Sequence, residues 1–394
     1  MIKNRNFTEF VALMALLTAL TAMSIDGMLP ALGRIGNDFQ LGASNAVQLV
    51  ISLFFLGLAT GQLFYGPLSD SIGRKPVMFL GLFLYAAGSV LAMLAGSFPA
   101  LLTGRALQGL GAAAPRNVVI AMVRDKYSGD RMASVMSLVM AVFILVPVVA
   151  PSLGQAVLLL SGWRAIFGAY LGLVLLMVLW FAWRQPETLP PDRRVPFTPR
   201  RIFLGVKEVI LCRPAIGYTL VIGLIFGAFI GYLNSSPRIF QNQYGMGKLF
   251  PLFFALLSLS IGAAFLLNTK LVIRFGMERI AFLALHGVFV LSVLHLGAAL
   301  LTSGNPPLWF FTLCLVLTFF CIGAIFGNMN ALAMDPLGHI AGVGAAVVGS
   351  LSLFMSFILG TYIGQRYNGT VYPVLIGFTV CSFISLWLIR WARR

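Results

Sequence analysis

The chain has 394 residues, 59% hydrophobic and only 10% charged, with 27 Lys and Arg against 11 Asp and Glu for a net charge of +16. Soluble domains run near ~25% charged, so this composition excludes a water-soluble globular protein and marks an integral membrane protein. The same charge in a soluble chain would point to nucleic acid, but the positions of the basic residues exclude that partner here. Apolar runs of roughly 20 residues, matched to a ~30 Å hydrocarbon core, predict about twelve helices, at 9–31, 45–66, 76–97, 99–122, 132–158, 164–183, 214–236, 249–269, 280–302, 307–333, 341–363 and 371–391. With a cytoplasmic N-terminus, the cytoplasmic segments carry 20 Lys and Arg. The outer loops carry 5 (Arg34, Arg164, Arg238, Lys248 and Arg366), and Arg105 and Arg116 fall inside helices. That bias follows the positive-inside rule and puts both termini in the cytoplasm. Lys3 and Arg5 ahead of the first run imitate a signal peptide, but the run is too long, holds Asp26 and lacks a small-x-small site. It is expected to be retained as the first helix.

Asp26 is the one carboxylate deep in an apolar helix. At ~1.5 Å per residue it lies some ~24 Å from the inner end, in the outer half of the core. An intramembrane acid is costly unless protonated, paired or wetted, so the functional reading is a proton-coupling group. The other reading is a static ion pair with a neighbouring helix. Glu9 and Asp335 lie at membrane edges and are expected to be solvated. Gln48, Gln62, Gln108, Asn234, Asn328 and Asn330 are embedded polar groups. Each suits an interhelical hydrogen bond, and Gln48, Asn234 and Asn328 are also candidates for lining a substrate cavity.

Between the second and third runs lies Gly66-Pro-Leu-Ser-Asp-Ser-Ile-Gly-Arg-Lys-Pro-Val77, with no charge from Leu41 to Ser69 before it or from Val77 to Gly104 after it. This predicts a tight hairpin loop at one membrane face, with Gly66 and Gly73 free to turn and Pro67 and Pro76 at the junctions. Arg105 stands six or seven residues into the fourth run, at a depth similar to Asp26. Arg116 is eleven residues further, three turns plus about 20°, so both cations share one face about 16 Å apart. The fifth run contains Pro147 and Pro151, which kink a helix, and Ala150 and Gly154, which allow close packing. Residues 184–213, with seven basic residues and five prolines, divide the runs six and six and are expected to form a cytoplasmic linker. Lys270-Leu-Val-Ile-Arg-Phe-Gly-Met-Glu-Arg279 repeats the charged hairpin weakly, at an offset of 203 residues. Cys212, Cys314, Cys321 and Cys381 have no metal-ligand or redox spacing, and His286 and His295 face opposite sides of one helix, so no metal site is expected.

The stretch from Gly66 to Pro76 resembles the signature between the second and third helices of the major facilitator superfamily. Leu102-Thr-Gly-Arg-Ala-Leu-Gln-Gly-Leu-Gly111 resembles the fourth-helix motif of that superfamily, in which an Arg near the cavity is implicated in proton transfer. The resemblance therefore joins Arg105 to Asp26 as a fixed charge beside a titratable acid, since a guanidinium cannot deprotonate. Ala150-Pro-Ser-Leu-Gly-Gln155 resembles the antiporter motif, with the first and last glycines replaced, and gives Pro147, Pro151 and Gly154 that role; an ordinary Pro-kinked helix is the alternative. Gln185-Pro-Glu-Thr-Leu189 is typical of drug-exporting members. Ala22–Ala31, Gln62–Asp70, Val123-Arg-Asp125, Gly162–Phe167 and Gly338–Gly342 resemble the Bcr/CflA drug-resistance transporters.

The resemblance implies an all-α polytopic protein of twelve membrane helices in two pseudo-symmetric six-helix bundles, residues 1–183 and 214–394, joined by the linker 184–213. It implies proton-coupled export of bicyclomycin-, chloramphenicol- or florfenicol-like small molecules by alternating access, without a cofactor, by a monomer in the bacterial inner membrane. Asp70 and Arg74, with Gly66, Gly73 and either Arg124 or Asp125, are expected to form a conformational gate on the cytoplasmic side. Arg116 departs from the family pattern. By position it would recognise an acidic or carbonyl-rich substrate, or else pair with backbone carbonyls or Asp125. Transport of a physiological anionic metabolite or siderophore, and a non-transporting sensor, are the other function classes. No His/Cys/carboxylate cluster or nucleophile–base pair indicates an enzyme.

Overall fold

A computed structural model describes residues 2–42 and 45–393, and among these no strand occurs. The α-helices are α1 (Ile2–Asp26), α2 (Leu32–Asp38), α3 (Leu49–Ile72), α4 (Arg74–Met93), α5 (Phe98–Lys126), α6 (Gly129–Ser161) and α7 (Trp163–Arg184), then α8 (Pro199–Leu211), α9 (Arg213–Pro237), α10 (Phe250–Phe275), α11 (Met277–Leu301), α12 (Leu308–Met334), α13 (Ala341–Gln365) and α14 (Tyr372–Ala392). Among the described residues eleven apolar stretches are long enough to cross a bilayer, and one of them, Leu308–Gln365, contains both α12 and α13 around a 3₁₀ segment at Asp335–Ile340. The polytopic all-α fold with twelve crossings is therefore the one the apolar runs predict. Large apolar side chains such as Leu159, Leu160, Leu176, Ile273 and Leu301 are exposed, as a lipid-facing surface requires.

The chain divides into two compact units, residues Met1–Ala31 with Leu53–Phe203, and Leu32–Ser52 with Leu204–Arg394. In the first unit α1 packs on α5, α6 and α7, and α4 packs on α5 and α7. Small residues bring these backbones together: a Cβ on Gly111 of α5 would stand 2.4 Å from the Tyr85 nitrogen of α4, and one on Gly109 1.9 Å from the Phe54 oxygen of α3. In the second unit α9 is enclosed by α12, α13 and α14, and α11 packs on α12 and α14.

Three local features differ from the sequence expectation. The first span is not one helix to residue 31: α1 ends at Asp26, and a 3₁₀ turn at Leu29–Ala31 leads into α2. Pro30 is the cause, since it has no N–H and its ring collides with the carbonyl of the residue four before it, which is Asp26. The expected hairpin loop at 66–77 is almost wholly helical, with α3 running through Pro67 to Ile72 and α4 restarting at Arg74. Gly73 alone makes the turn, at φ 110°, a conformation open to glycine. The linker is not merely polar, since α8 fills 13 of its residues. Ile202, Val206, Val209 and Ile210 repeat at helical spacing there, behind Pro199 at the helix start.

Candidate functional site

The helix break puts Asp26 on the last residue of α1, 6% exposed, where its carboxyl makes no hydrogen bond or ion pair with any described residue. The turn just before it is heavily fastened. Arg105 of α5, fully buried, donates from Nη2 to the Ser24 carbonyl at 3.0 Å and from Nη1 to Gln108 Oε1 at 2.8 Å. Its guanidinium lies 4.6 Å from the Phe54 ring centroid. The Ser24 and Tyr85 hydroxyls are 2.5 Å apart, and Gln108 Nε2 donates to Ser89 Oγ at 2.7 Å. Tyr170 of α7 donates from its hydroxyl to the Met23 carbonyl at 2.9 Å. From α6, a Cβ on Gly154 would lie 1.9 Å from the Gly27 oxygen, so the two backbones touch only because position 154 is glycine.

Asp26, Arg105 and Gly154 therefore meet at one broken turn. Pro147 and Pro151 lie within the same continuous α6. Arg105 binds the backbone next to Asp26 and not its carboxyl, which separates the acid from the static ion pair the sequence left open. Tyr85, Tyr170 and Ser89 carry no motif, Ser24 lies in the Ala22–Ala31 stretch without being singled out there, and all four were missed from sequence; their hydroxyls become informative only once α1, α4, α5 and α7 are packed.

A second cluster surrounds Gly73. Arg74, 3% exposed, donates from Nη1 to Asp70 Oδ1 at 2.6 Å and to Ser69 Oγ at 2.8 Å, and from Nε to Asp125 Oδ2 at 2.9 Å. Of the two acceptors or donors proposed at the end of α5, Asp125 is the one engaged, and Arg124 makes no hydrogen bond or ion pair among the described residues. Ser69 Oγ also donates to the Gly66 carbonyl at 2.9 Å. Glu187, from the stretch after α7, accepts the first two backbone N–H groups of α4, Arg74 and Lys75, each at 3.0 Å. It also accepts from Thr188 and Leu189, each at 2.9 Å. Burial pushes the Glu187 carboxyl up, but the N–H groups of Leu189, Lys75, Arg74 and Thr188 outweigh it and hold the carboxyl below its ordinary value. Thr188 Oγ1 donates to Asp125 at 3.1 Å, closing the cluster. Glu9, expected at a wet edge, instead takes Trp180 Nε1 at 3.0 Å and pairs with Arg184.

The candidate cavity residues differ in their local partners. Arg116 on α5 is half-buried and makes no hydrogen bond or ion pair among the described residues; Asp125, its possible partner, is held by Arg74 and Thr188. Gln48 and Asn234, each 1% exposed, meet across Gly364, where a Cβ would stand 2.4 Å from Gln48 Oε1 and 2.9 Å from Asn234 Cβ. Asn234 donates to Ser52 Oγ and to the Gly360 carbonyl, each at 3.1 Å, while both polar ends of Gln48 lack a partner among the described residues. Asn328 instead exchanges amide hydrogen bonds with Asn268, at 2.8 and 3.2 Å.

A family model described as Major Facilitator Superfamily matches residues 14–361. The chain is 32% identical over 378 residues to an uncharacterized MFS-type transporter, YdgK, of Bacillus subtilis (strain 168), covering 95% of this chain and 93% of the relative. It is 28% identical to a bicyclomycin resistance protein homolog of Haemophilus influenzae, covering 96% and 94%. A solved peptide transporter, POT, in complex with sulfate shares the fold at a TM-score of 0.76 and 14% identity, covering 98% of this chain and 94% of that one. With a model spanning most of the chain and a relative of this identity along its length, the chain belongs to the Major Facilitator Superfamily and is a multi-pass membrane transporter of small molecules.

Proposed function

We propose that the protein is a proton-coupled exporter of small molecules, of the drug-efflux kind, working by alternating access in a bacterial inner membrane with both termini cytoplasmic. The observation that carries this reading is the Asp26 carboxyl, buried at a helix break without a partner. A buried carboxyl without a counter-charge is stable only as the neutral acid, so it discharges its proton when water or a cation reaches it. Arg105, held by the Ser24 carbonyl two residues before Asp26, is the cation that a change in the α1–α5 packing would bring to it or take away. Bicyclomycin resistance in the name of a relative supports an uncharged, polar antibiotic as substrate, and no cofactor is required because the proton gradient supplies the driving force. The protein would act as a monomer. In proteoliposomes, wild type is expected to export only with a pH gradient, and Asp26→Asn to lose gradient-driven export while remaining folded and able to exchange substrate. Full pH-driven export by that variant would refute the assignment.

A second reading, transport of an anionic metabolite, draws support from one observation. Arg116 is a half-buried cation in a membrane helix without a partner among the described residues. A fixed cation so placed favours carboxylates or polarised carbonyls.

A further inference from the structure

We propose that Tyr170 and Gly154 are positioning residues for the Asp26 carboxyl, acting through the broken turn of α1; this rests on Asp26 as the proton-coupling group. Pro30 ends α1, and the chain passes from the Met23–Gly27 turn into the 3₁₀ turn at Leu29–Ala31. Two neighbours press on it there. On one side the Gly27 backbone lies directly against Gly154 of α6, so near that a methyl group there would overlap the Gly27 oxygen, 1.9 Å away. On the other side the Tyr170 hydroxyl donates to Met23 O at 2.9 Å, sharing that carbonyl with the Gly27 N–H at 3.0 Å. The same hydroxyl sits 2.7 Å from the point where a Cβ on Gly27 would stand. Gly27 is thus gripped between α6 and α7, one residue from the acid.

The charged and titratable groups that face this turn are Tyr85 from α4, Arg105 from α5 and Tyr170 from α7. The facing stretch of α6, residues 143–157, contains no ionisable side chain. Tyr85 and Arg105 fasten Ser24, on the helical side of the break. Tyr170 and Gly154 act at Gly27, where the chain leaves the helix, so they bear on the direction in which the last residue of α1 points its carboxyl relative to Arg105. A group that must meet a fixed cation in one state and lose it in another depends on that direction to within a fraction of an ångström.

The test is an infrared pH titration of the purified protein, following the carbonyl stretch of protonated carboxyl groups. The band lost in Asp26→Asn is that of Asp26. Tyr170→Phe keeps the ring that packs edge-on against Phe167, at 6.3 Å between centroids, and removes only the hydroxyl. It is expected to move the midpoint of the Asp26 band by about half a pH unit or more and to lower gradient-driven export about tenfold, with substrate affinity unchanged. Gly154→Ala, which presses on the same turn from the other side, is expected to move the same midpoint. A Tyr170→Phe protein that titrates and exports like wild type overturns the role of Tyr170. Should that variant not be recovered folded, an unmoved midpoint in Gly154→Ala overturns the broken turn as the positioning device. If Asp26→Asn exports normally, the coupling role of Asp26 falls, while the infrared titration still decides whether Tyr170 and Gly154 set its carboxyl.

Discussion

Replacing Glu187 with Ala should loosen the start of α4 and with it the Arg74 cluster. Three donors are unpaired at the start of any helix for want of preceding carbonyls, besides a fourth deeper in the turn. Here Glu187 takes those of Arg74 and Lys75, and position 76 is proline and has none. Loss of a helix cap costs about 0.5–2 kcal/mol, and a bond to a charged acceptor about 1.5–3 kcal/mol. Glu187 is half-exposed, so water replaces part of what is lost, and the expected cost is about 1–2 kcal/mol. That corresponds to roughly 5–30-fold faster exchange of the Arg74 and Lys75 amides, read by hydrogen–deuterium exchange of a peptide spanning the Gly73 turn.

The pH dependence has a definite sign. Because the folded carboxyl lies below its ordinary value of 4.5, Glu187 stabilises fully above that pH, and the stabilisation fades as pH falls through the lower folded value. The melting-temperature gap between wild type and Glu187→Ala should therefore be constant near neutral pH and close in acid. Glu187→Gln keeps one oxygen for Arg74 but turns an amide donor toward the Lys75 N–H, so it should fall between the two. Unchanged exchange at Arg74 and Lys75 in Glu187→Ala would refute the cap, and a gap that widens in acid would refute the charge.

Arg116→Ala should weaken binding of acidic or carbonyl-rich substrates about tenfold, about the worth of one charge-assisted hydrogen bond, while leaving proton movement through Asp26 intact. Isothermal titration with a carboxylate and a neutral analogue checks this, and equal affinity for both in wild type and variant would make Arg116 structural. Gln48→Leu should leave the protein as stable as wild type or raise stability by about 1 kcal/mol, since it removes a buried amide whose two ends find no protein partner. A loss of more than about 2 kcal/mol on thermal unfolding would show that the amide is satisfied in the working protein.

The helix count, the membrane class and the family were legible because they rest on long-range periodicity and an eleven-position motif, signals that survive any local irregularity. Asp26 and Arg105 stand out as candidates for a related reason: a charge in an apolar run is conspicuous whatever it touches. What the sequence hid was the joining chemistry. Glu187 stood in a recognisable motif, but its carboxylate acquires meaning only when the chain after α7 returns to the start of α4, 112 residues away from Lys75. Tyr170 looks like any interfacial aromatic until its hydroxyl is seen on the Met23 carbonyl. Pro30 was the one clue present and unused, since its clash with the residue four before it puts the helix break on the very acid singled out by its charge. The two facts belong together: the helix end frees the Ser24 carbonyl for Arg105 to hold, while Tyr170 shares the Met23 carbonyl with the Gly27 N–H. The replaced glycines of the antiporter motif fit the same account, because the glycine retained, Gly154, is the one whose missing Cβ admits the Gly27 backbone.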